Sequence, residues 1–180
     1  MRRVLSRAGL TMNDISVTIL PETAADAVAI EHLHERTFGP GRYAKTAYRI
    51  REITPHDLAL SYTARIGTLL VGSIWLSKIR IGEVPALLLG PLTIEPPFRS
   101  RGIGLKLIER AMTEAKSRGH RLVVLVGDEP YYARAGFKRT AKGALKLPGP
   151  VDPARLLMAE LVEGAAAGVT GAIRPEWEPA

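Results

Sequence analysis

The sequence predicts an α/β protein in which a mixed β-sheet carries flanking helices. Three observations predict it. Residues 58–66, 69–79 and 86–94 follow one another as strand-like runs, joined by tight turns at Gly67-Thr68 and Gly82-Glu83. Residues Leu105, Ile108, Met112 and Ala115 recur at three- to four-residue spacing, the stripe of an amphipathic helix. Residues 122–126 form an unbroken apolar run rich in valine, which suits a strand buried on both faces.

Each element has a local reason. Residues 1–14 read as a loose extension, with Met12 a second candidate start, and residues 15–20 alternate as a first strand. Thr23 and Asp26 have the spacing of a capping pair, so a helix is expected over 24–38, ended by Gly39-Pro40-Gly41. A second short helix is expected over 43–52. In the run 58–66, Leu58, Leu60, Tyr62, Ala64 and Ile66 alternate with smaller or polar residues. Gly90-Pro91 interrupts the run 86–94, and proline cannot donate to a ladder, so that strand must bulge or bend there. Leu92-Thr93-Ile94 then leads through Glu95-Pro96-Pro97-Phe98 into Arg99-Ser100-Arg101-Gly102-Ile103-Gly104 and the amphipathic helix, which Gly119 closes. After the valine-rich run, Asp128-Glu129-Pro130 turns into a short helix bearing Tyr131 and Tyr132. Gly136-Phe137 begins another strand, and 156–162 is the last clear one. The expected organisation is a single domain over 15–163 and a tail of small residues over 164–180.

Composition narrows the class. At 180 residues, 46% hydrophobic and 24% charged, the chain can bury a core and is not a disordered tail. Cysteine is absent, which excludes a disulfide scaffold, a thiolate metal site and a cysteine nucleophile. No apolar run approaches the ~20 residues of a membrane span, and the basic start lacks the apolar stretch of a secretory signal. The expectation is a cytoplasmic protein with no membrane partner. His32 and His34 stand two apart on a helix and do not share a face, His120 is expected on the surface, and no metal is expected. The net charge of +7 is uneven: residues 99–121 carry seven basic and two acidic side chains, and residues 1–10 add three arginines. A local excess beside a glycine turn suits a compact polyanion. Aromatics are 6% and no RNA- or DNA-binding motif occurs, so nucleic acid is not an expected partner.

A strand, a glycine-rich turn and a helix make a phosphate cradle, because the first helical turn has free N–H donors and the macrodipole favours negative charge there. Gly102 and Gly104 would let the backbone approach a ligand, and Arg99 and Arg101 add charge. A Walker A loop is excluded, since its first glycine and its Lys-Ser/Thr pair are missing. A dinucleotide fingerprint fails at its third glycine, which is Leu107 here. The Arg/Gln-x-x-Gly-x-Gly/Ala pattern is satisfied throughout by Arg99-Ser100-Arg101-Gly102-Ile103-Gly104. A tight strand-to-helix turn that needs small residues is the plain structural alternative.

With those residues in view, the chain resembles the GNAT superfamily of acyl-CoA-dependent N-acetyltransferases over most of 15–163. The resemblance rests on Gly90-Pro91 before Leu92-Thr93-Ile94, on the 99–104 loop with its helix, and on Tyr132-Ala133-Arg134-Ala135-Gly136-Phe137 as Tyr-x-x-x-Gly-Phe. It looks closest to a bacterial subgroup with a Gly-Asp-x-x-Tyr-Tyr element and poorly defined substrates. One departure is Gly127-Asp128, where many relatives carry Asn.

The resemblance implies a largely antiparallel twisted sheet with one splayed parallel strand pair. It implies acetyl-CoA as co-substrate, with Arg99, Ser100, Arg101, Gly102, Ile103 and Gly104 at its pyrophosphate and the backbone of Leu92, Thr93 and Ile94 along its pantetheine arm. It further implies direct attack by an amine, an oxyanion facing a backbone N–H near Thr93–Ile94, and Tyr132 as the acid for the leaving thiolate. Tyr131 is expected to pack in the core. Glu95, Glu83, Asp57, His56 and Glu52 are open candidates for a general base. Arg42, Lys45, Arg49 and Arg51 belong either to the acceptor groove or to a solvated helix face. The alternative function is a non-catalytic acyl-CoA-binding or regulatory module. The acceptor amine stays open, as does the oligomeric state, a homodimer included.

Overall fold

A computed structural model of the chain describes residues 16–39 and 54–176. The expected helix over 43–52, the extension over 1–14 and the cations from Arg42 to Arg51 lie outside the described residues.

The chain opens with strand β1 (Thr18–Pro21). Thr23 then caps as expected: its backbone N–H and its hydroxyl both donate to Asp26 Oδ2, at 2.8 and 2.9 Å. The capped turn Ala24–Asp26 is a 3-10 turn, and helix α1 (Ala27–Phe38) follows. Gly39 ends it with φ +63°. The run expected as one strand over 58–66 divides. Asp57 accepts from the Ala59 amide at 2.9 Å, which curls Leu58–Leu60 into a 3-10 turn and leaves β2 as Tyr62–Ile66. Strands β3 (Leu69–Ile81) and β4 (Val84–Ile94) follow through the glycine turns.

Helix α2 (Ile103–Ser117) comes next. Its buried stripe is Ile103, Leu107, Ile108, Ala111 and Ala115, while Leu105 and Met112 border it half-buried. Strand β5 is Leu122–Val126, and the short helix α3 is Glu129–Tyr132. Strands β6 (Lys138–Arg139), β7 (Leu145–Lys146), β8 (Leu156–Glu160) and β9 (Gly171–Pro175) complete the chain.

The strands run in the order β1-β2-β3-β4-β5-β8-β6. Pairing is antiparallel except between β4 and β5 and between β7 and β9. Strand β9 corrects the expectation of a tail over 164–180. Residues Ile173–Pro175 pair with Ile79–Ile81 of β3, and Ile173 is 3% exposed. One apolar side chain with strand pairing on both edges was enough to recruit a segment whose composition is otherwise small and polar.

Three apolar clusters pack on the sheet among the described residues; one of them gathers Ile79, Ile81, Leu88, Leu122, Val124 and Ile173. Helix α2 covers one face with Ile74, Leu76, Leu87, Leu89, Val123 and Leu125 beneath it. Helix α1 covers the other, packing Ile30 and Leu33 on Leu70 and Trp75.

Candidate active site

The site begins where β4 leaves β5. The two strands pair only at Leu87–Val123 and Leu88–Val124. Beyond that point β5 continues to Val126 against β8, and β4 continues to Ile94 against β3. The cause is Gly90-Pro91. Two β4 residues stand against the single β3 residue Trp75, because the register moves from Ile74–Leu92 to Leu76–Leu89. Such a bulge bends its strand and raises the local twist, so one edge of β4 loses its neighbour. The Glu95 amide donates across to Val71 O at 2.9 Å. Alternation along the strand therefore points the Thr93 amide into the β3 ladder and the Leu92 and Ile94 amides toward the open edge. Leu92 and Ile94 are half-exposed there, and Thr93 is buried.

The glycine loop closes the end of this cleft. Ser100 has φ +60° and Gly102 φ +76°. The first bond of α2 is Lys106 N–H to Gly102 O at 3.1 Å. Among the described residues, the amides of residues 100–105 have no protein acceptor. That is a run of unpaired donors at a helix N-terminus, where negative charge is favoured. Arg101 and Arg99 differ. The Arg99 Nε donates to Ile94 O at 3.2 Å, tying the loop to its own strand. Arg101 is exposed with its guanidinium 5.9 Å over the Phe98 ring. Ile103 is buried in the core under the loop.

The two glycines have separate tasks. Gly102 is left-handed with open space around its Cα, so only its φ requires glycine. Gly104 is helical. A methyl group built on it would overlap the Tyr131 hydroxyl oxygen and would lie 3.4 Å from Tyr131 Cζ. Tyr131 thus sits on the first turn of α2 and is itself a reason for glycine at 104. Burial pushes its phenol above the ordinary value, with Arg134 pulling the other way. The same logic holds one step away. A methyl on Gly127 would overlap Tyr132 Cε2 and come within 2.8 Å of Cδ2. Tyr132 also lies edge-on to Phe137 at 6.0 Å and to Tyr131 at 5.0 Å. Gly127 is the seat of the Tyr132 ring. No sequence signal distinguished this reason for Gly127 or Gly104, since the partners are side chains from a later element.

The candidates for a general base are scattered. Glu95 pairs with Arg36. Glu83 is 85% exposed and pairs with Arg174 near the β9 end of β3. Asp57 faces Lys78 at 3.3 Å. Glu52 lies outside the described residues. His56 is different: its ring is 2.8 Å from the buried carboxylate of Glu22, which sequence reasoning did not single out. His120, expected on the surface, is half-buried, and burial and Lys78 hold it below its ordinary value. Among the described residues no group of three His, Cys, Asp or Glu could hold a metal ion, and no helix is long and apolar enough to cross a membrane.

Comparison with known proteins agrees with this geometry. The Acetyltransferase (GNAT) family pattern matches residues 27–137. An uncharacterised N-acetyltransferase of Methanocaldococcus jannaschii, MJ1207, is 41% identical over 81 residues, which are 41% of this chain and 35% of that protein. The chain therefore aligns with about a third of that relative's length. YjhQ of Escherichia coli, also an uncharacterised N-acetyltransferase, is 30% identical over 121 residues, 65% of this chain and 67% of its own. Among solved structures, the GNAT family N-acetyltransferase YhbS of Escherichia coli, in complex with CoA, superposes with a TM-score of 0.76 at 23% identity, covering 90% of this chain and 91% of that one. The mixed sheet, the splayed β4–β5 pair, the loop of free amides and the matched pattern lead to one conclusion: this chain belongs to the GNAT acetyltransferase family.

Proposed function

We propose that this protein is an N-acetyltransferase that moves an acetyl group from acetyl-CoA to a primary amine by direct attack in a ternary complex. The observation that carries the reading is the open edge of β4 running into a loop whose amides have no protein acceptor among the described residues. That pair of features fits a ligand with amides along its length and a pyrophosphate at one end. The CoA in the YhbS structure supports the same reading by likeness of fold.

The amides of Ser100, Arg101, Gly102, Ile103 and Gly104 hold the pyrophosphate, with the Arg101 charge at the mouth. Arg99 acts on the loop itself through its bond to Ile94 O. The backbone of Leu92, Thr93 and Ile94 receives the pantetheine arm as an added strand. Acetyl-CoA supplies an acyl group already activated as a thioester. The outward Ile94 amide faces the carbonyl oxygen as negative charge develops there. Tyr132, its ring fixed between Gly127 and Phe137, donates the phenolic proton to the leaving thiolate.

Thermal unfolding tests the reading, with acetyl-CoA, NAD and ATP each at the same excess. A ligand at 100 times its dissociation constant stabilises by about 2.7 kcal/mol. A shift with acetyl-CoA alone is expected, followed by thiol release with amines that Tyr132→Phe slows. A shift only with NAD or ATP refutes the cofactor reading. A shift with acetyl-CoA and no transfer to any amine favours a non-catalytic acyl-CoA-binding module.

A further inference from the structure

Tyr131 constrains the fold without bonding to it. Its hydroxyl oxygen is the atom that a methyl on Gly104 would overlap, whereas the ring carbon Cζ behind it would stand at 3.4 Å, an ordinary contact. A phenylalanine at 131 would therefore not demand glycine at 104. Glycine is among the poorest helix formers, so helix propensity is given up in the first turn of α2 to seat this one oxygen. Yet the Tyr131 hydroxyl makes no hydrogen bond among the described residues. It is not sealed in the interior either. The buried hydroxyls without a partner are those of Thr37, Thr54, Thr63, Ser77 and Thr93, and the hydroxyl of half-buried Tyr131 keeps an accessible face. Buried polar groups are as a rule bonded, and a hydroxyl that is accommodated at the expense of the helix but bonds to nothing in the chain has its partner outside it.

Its position identifies that partner. A Cβ is one bond from its Cα and two from the amide nitrogen, so an oxygen that overlaps it lies within ~5 Å of the Gly104 N–H. Leu92 Cδ2 stands 3.5 Å from the same Cβ position. The hydroxyl therefore lies at the corner where β4 meets the first turn of α2, beside the amides that have no acceptor among the described residues. Burial holds the phenol above its ordinary value, so it stays a neutral donor and does not repel an anion. The Tyr132 ring stands 5.0 Å away at 89° to it, and successive helical residues point ~100° apart, so the two hydroxyls serve different places. We infer that the Tyr131 hydroxyl donates a hydrogen bond to the pyrophosphate of coenzyme A, alongside the amides of the 99–104 loop. The inference rests on the proposed acetyl-CoA reading. Tyr131 thereby holds the cofactor and moves neither the acetyl group nor a proton. Its hydroxyl is the reason for glycine at 104, and the ligand is the reason for the hydroxyl.

The test is titration calorimetry of CoA and of 3′-dephospho-CoA into wild type and Tyr131→Phe. The second ligand carries phosphorus only in its pyrophosphate. Tyr131→Phe is expected to bind both ligands about 10-fold more weakly, the loss of one hydrogen bond to a charged group. Its urea midpoint is expected to equal that of wild type, because the hydroxyl bonds to nothing in the folded chain. The 31P resonances of bound 3′-dephospho-CoA are expected to differ between the two proteins. A Tyr131→Phe protein that binds 3′-dephospho-CoA as tightly as wild type overturns the assignment and leaves the cofactor reading standing. Weaker binding with unchanged 31P resonances also overturns it, since the hydroxyl then acts on another part of the ligand. A lowered urea midpoint, or failure of the variant to fold, overturns it by showing that the hydroxyl has a partner within the chain. A wild type that binds neither ligand removes the cofactor reading and this contact with it.

Discussion

Gly104→Ala should destabilise the protein, and Tyr131→Phe should rescue it. Gly104 is helical and lacks a positive φ, so its backbone imposes no need for glycine. In an open helix the change to alanine would gain up to ~1 kcal/mol. Here the new methyl overlaps the Tyr131 hydroxyl oxygen, and Leu92 Cδ2 stands 3.5 Å away on another side. Overpacking of this kind costs ~1–3 kcal/mol, so a net loss of about 1–2 kcal/mol is expected. Removing the hydroxyl leaves Tyr131 Cζ at 3.4 Å as the nearest ring atom, an ordinary contact. In the Tyr131→Phe background the same alanine should then be neutral or stabilising by up to ~1 kcal/mol. The coupling between the two sites is therefore about 1–3 kcal/mol, in the range of residues in direct contact. Urea denaturation of the four proteins measures it, and acetyl-CoA thermal shifts on the same set read whether the loop keeps its shape. A Gly104→Ala protein as stable as wild type, or one that Tyr131→Phe does not rescue, refutes the claim that Tyr131 is what demands glycine.

Gly102→Ala has open space but sits at φ +76°; it should cost ~1–2 kcal/mol in denaturant, with no rescue by Tyr131→Phe. Tyr132→Phe should slow thiol release by ~10²–10⁴-fold with the acetyl-CoA shift intact. Gly127→Ala, which forces the Tyr132 ring to move, should lower the same rate without touching the loop. Burial works to raise the Asp26 carboxyl, but the Thr23 hydrogen bonds and Arg65 outweigh it and hold it below its ordinary value. Its stabilisation is therefore complete above about pH 4 and lost as the pH falls through the depressed value. Asp26→Asn should cost ~1–2 kcal/mol near neutrality, and its gap from wild type in denaturant should narrow in acid.

Short-range signals made much of this protein legible. Thr23 and Asp26 are three residues apart, and their reciprocal bonds formed as the spacing required. The 99–104 loop, the bend at Gly90-Pro91 and the unbroken run of β5 likewise depend on neighbours in the chain. The failures are also local in cause. Leu58–Leu60 alternates like a strand, yet the Asp57 side chain offers the Ala59 amide a nearer acceptor than any strand could. Residues 171–175 carry too few apolar side chains to signal a strand; pairing of Gly171 and Ala172 with β7 and of Ile173–Pro175 with the end of β3 makes them one.

The sequence by itself determined the class of fold, the place of the glycine loop and the presence of a tyrosine one strand later, because propensity, period and turn chemistry act over a few residues. Tertiary structure alone decided the seat of Tyr131 against Gly104 and the contact of His56 with Glu22, 34 residues away. These are meetings between side chains from distant elements. Their cost and benefit are set by space and desolvation, which exist only once the sheet and its two helices have packed.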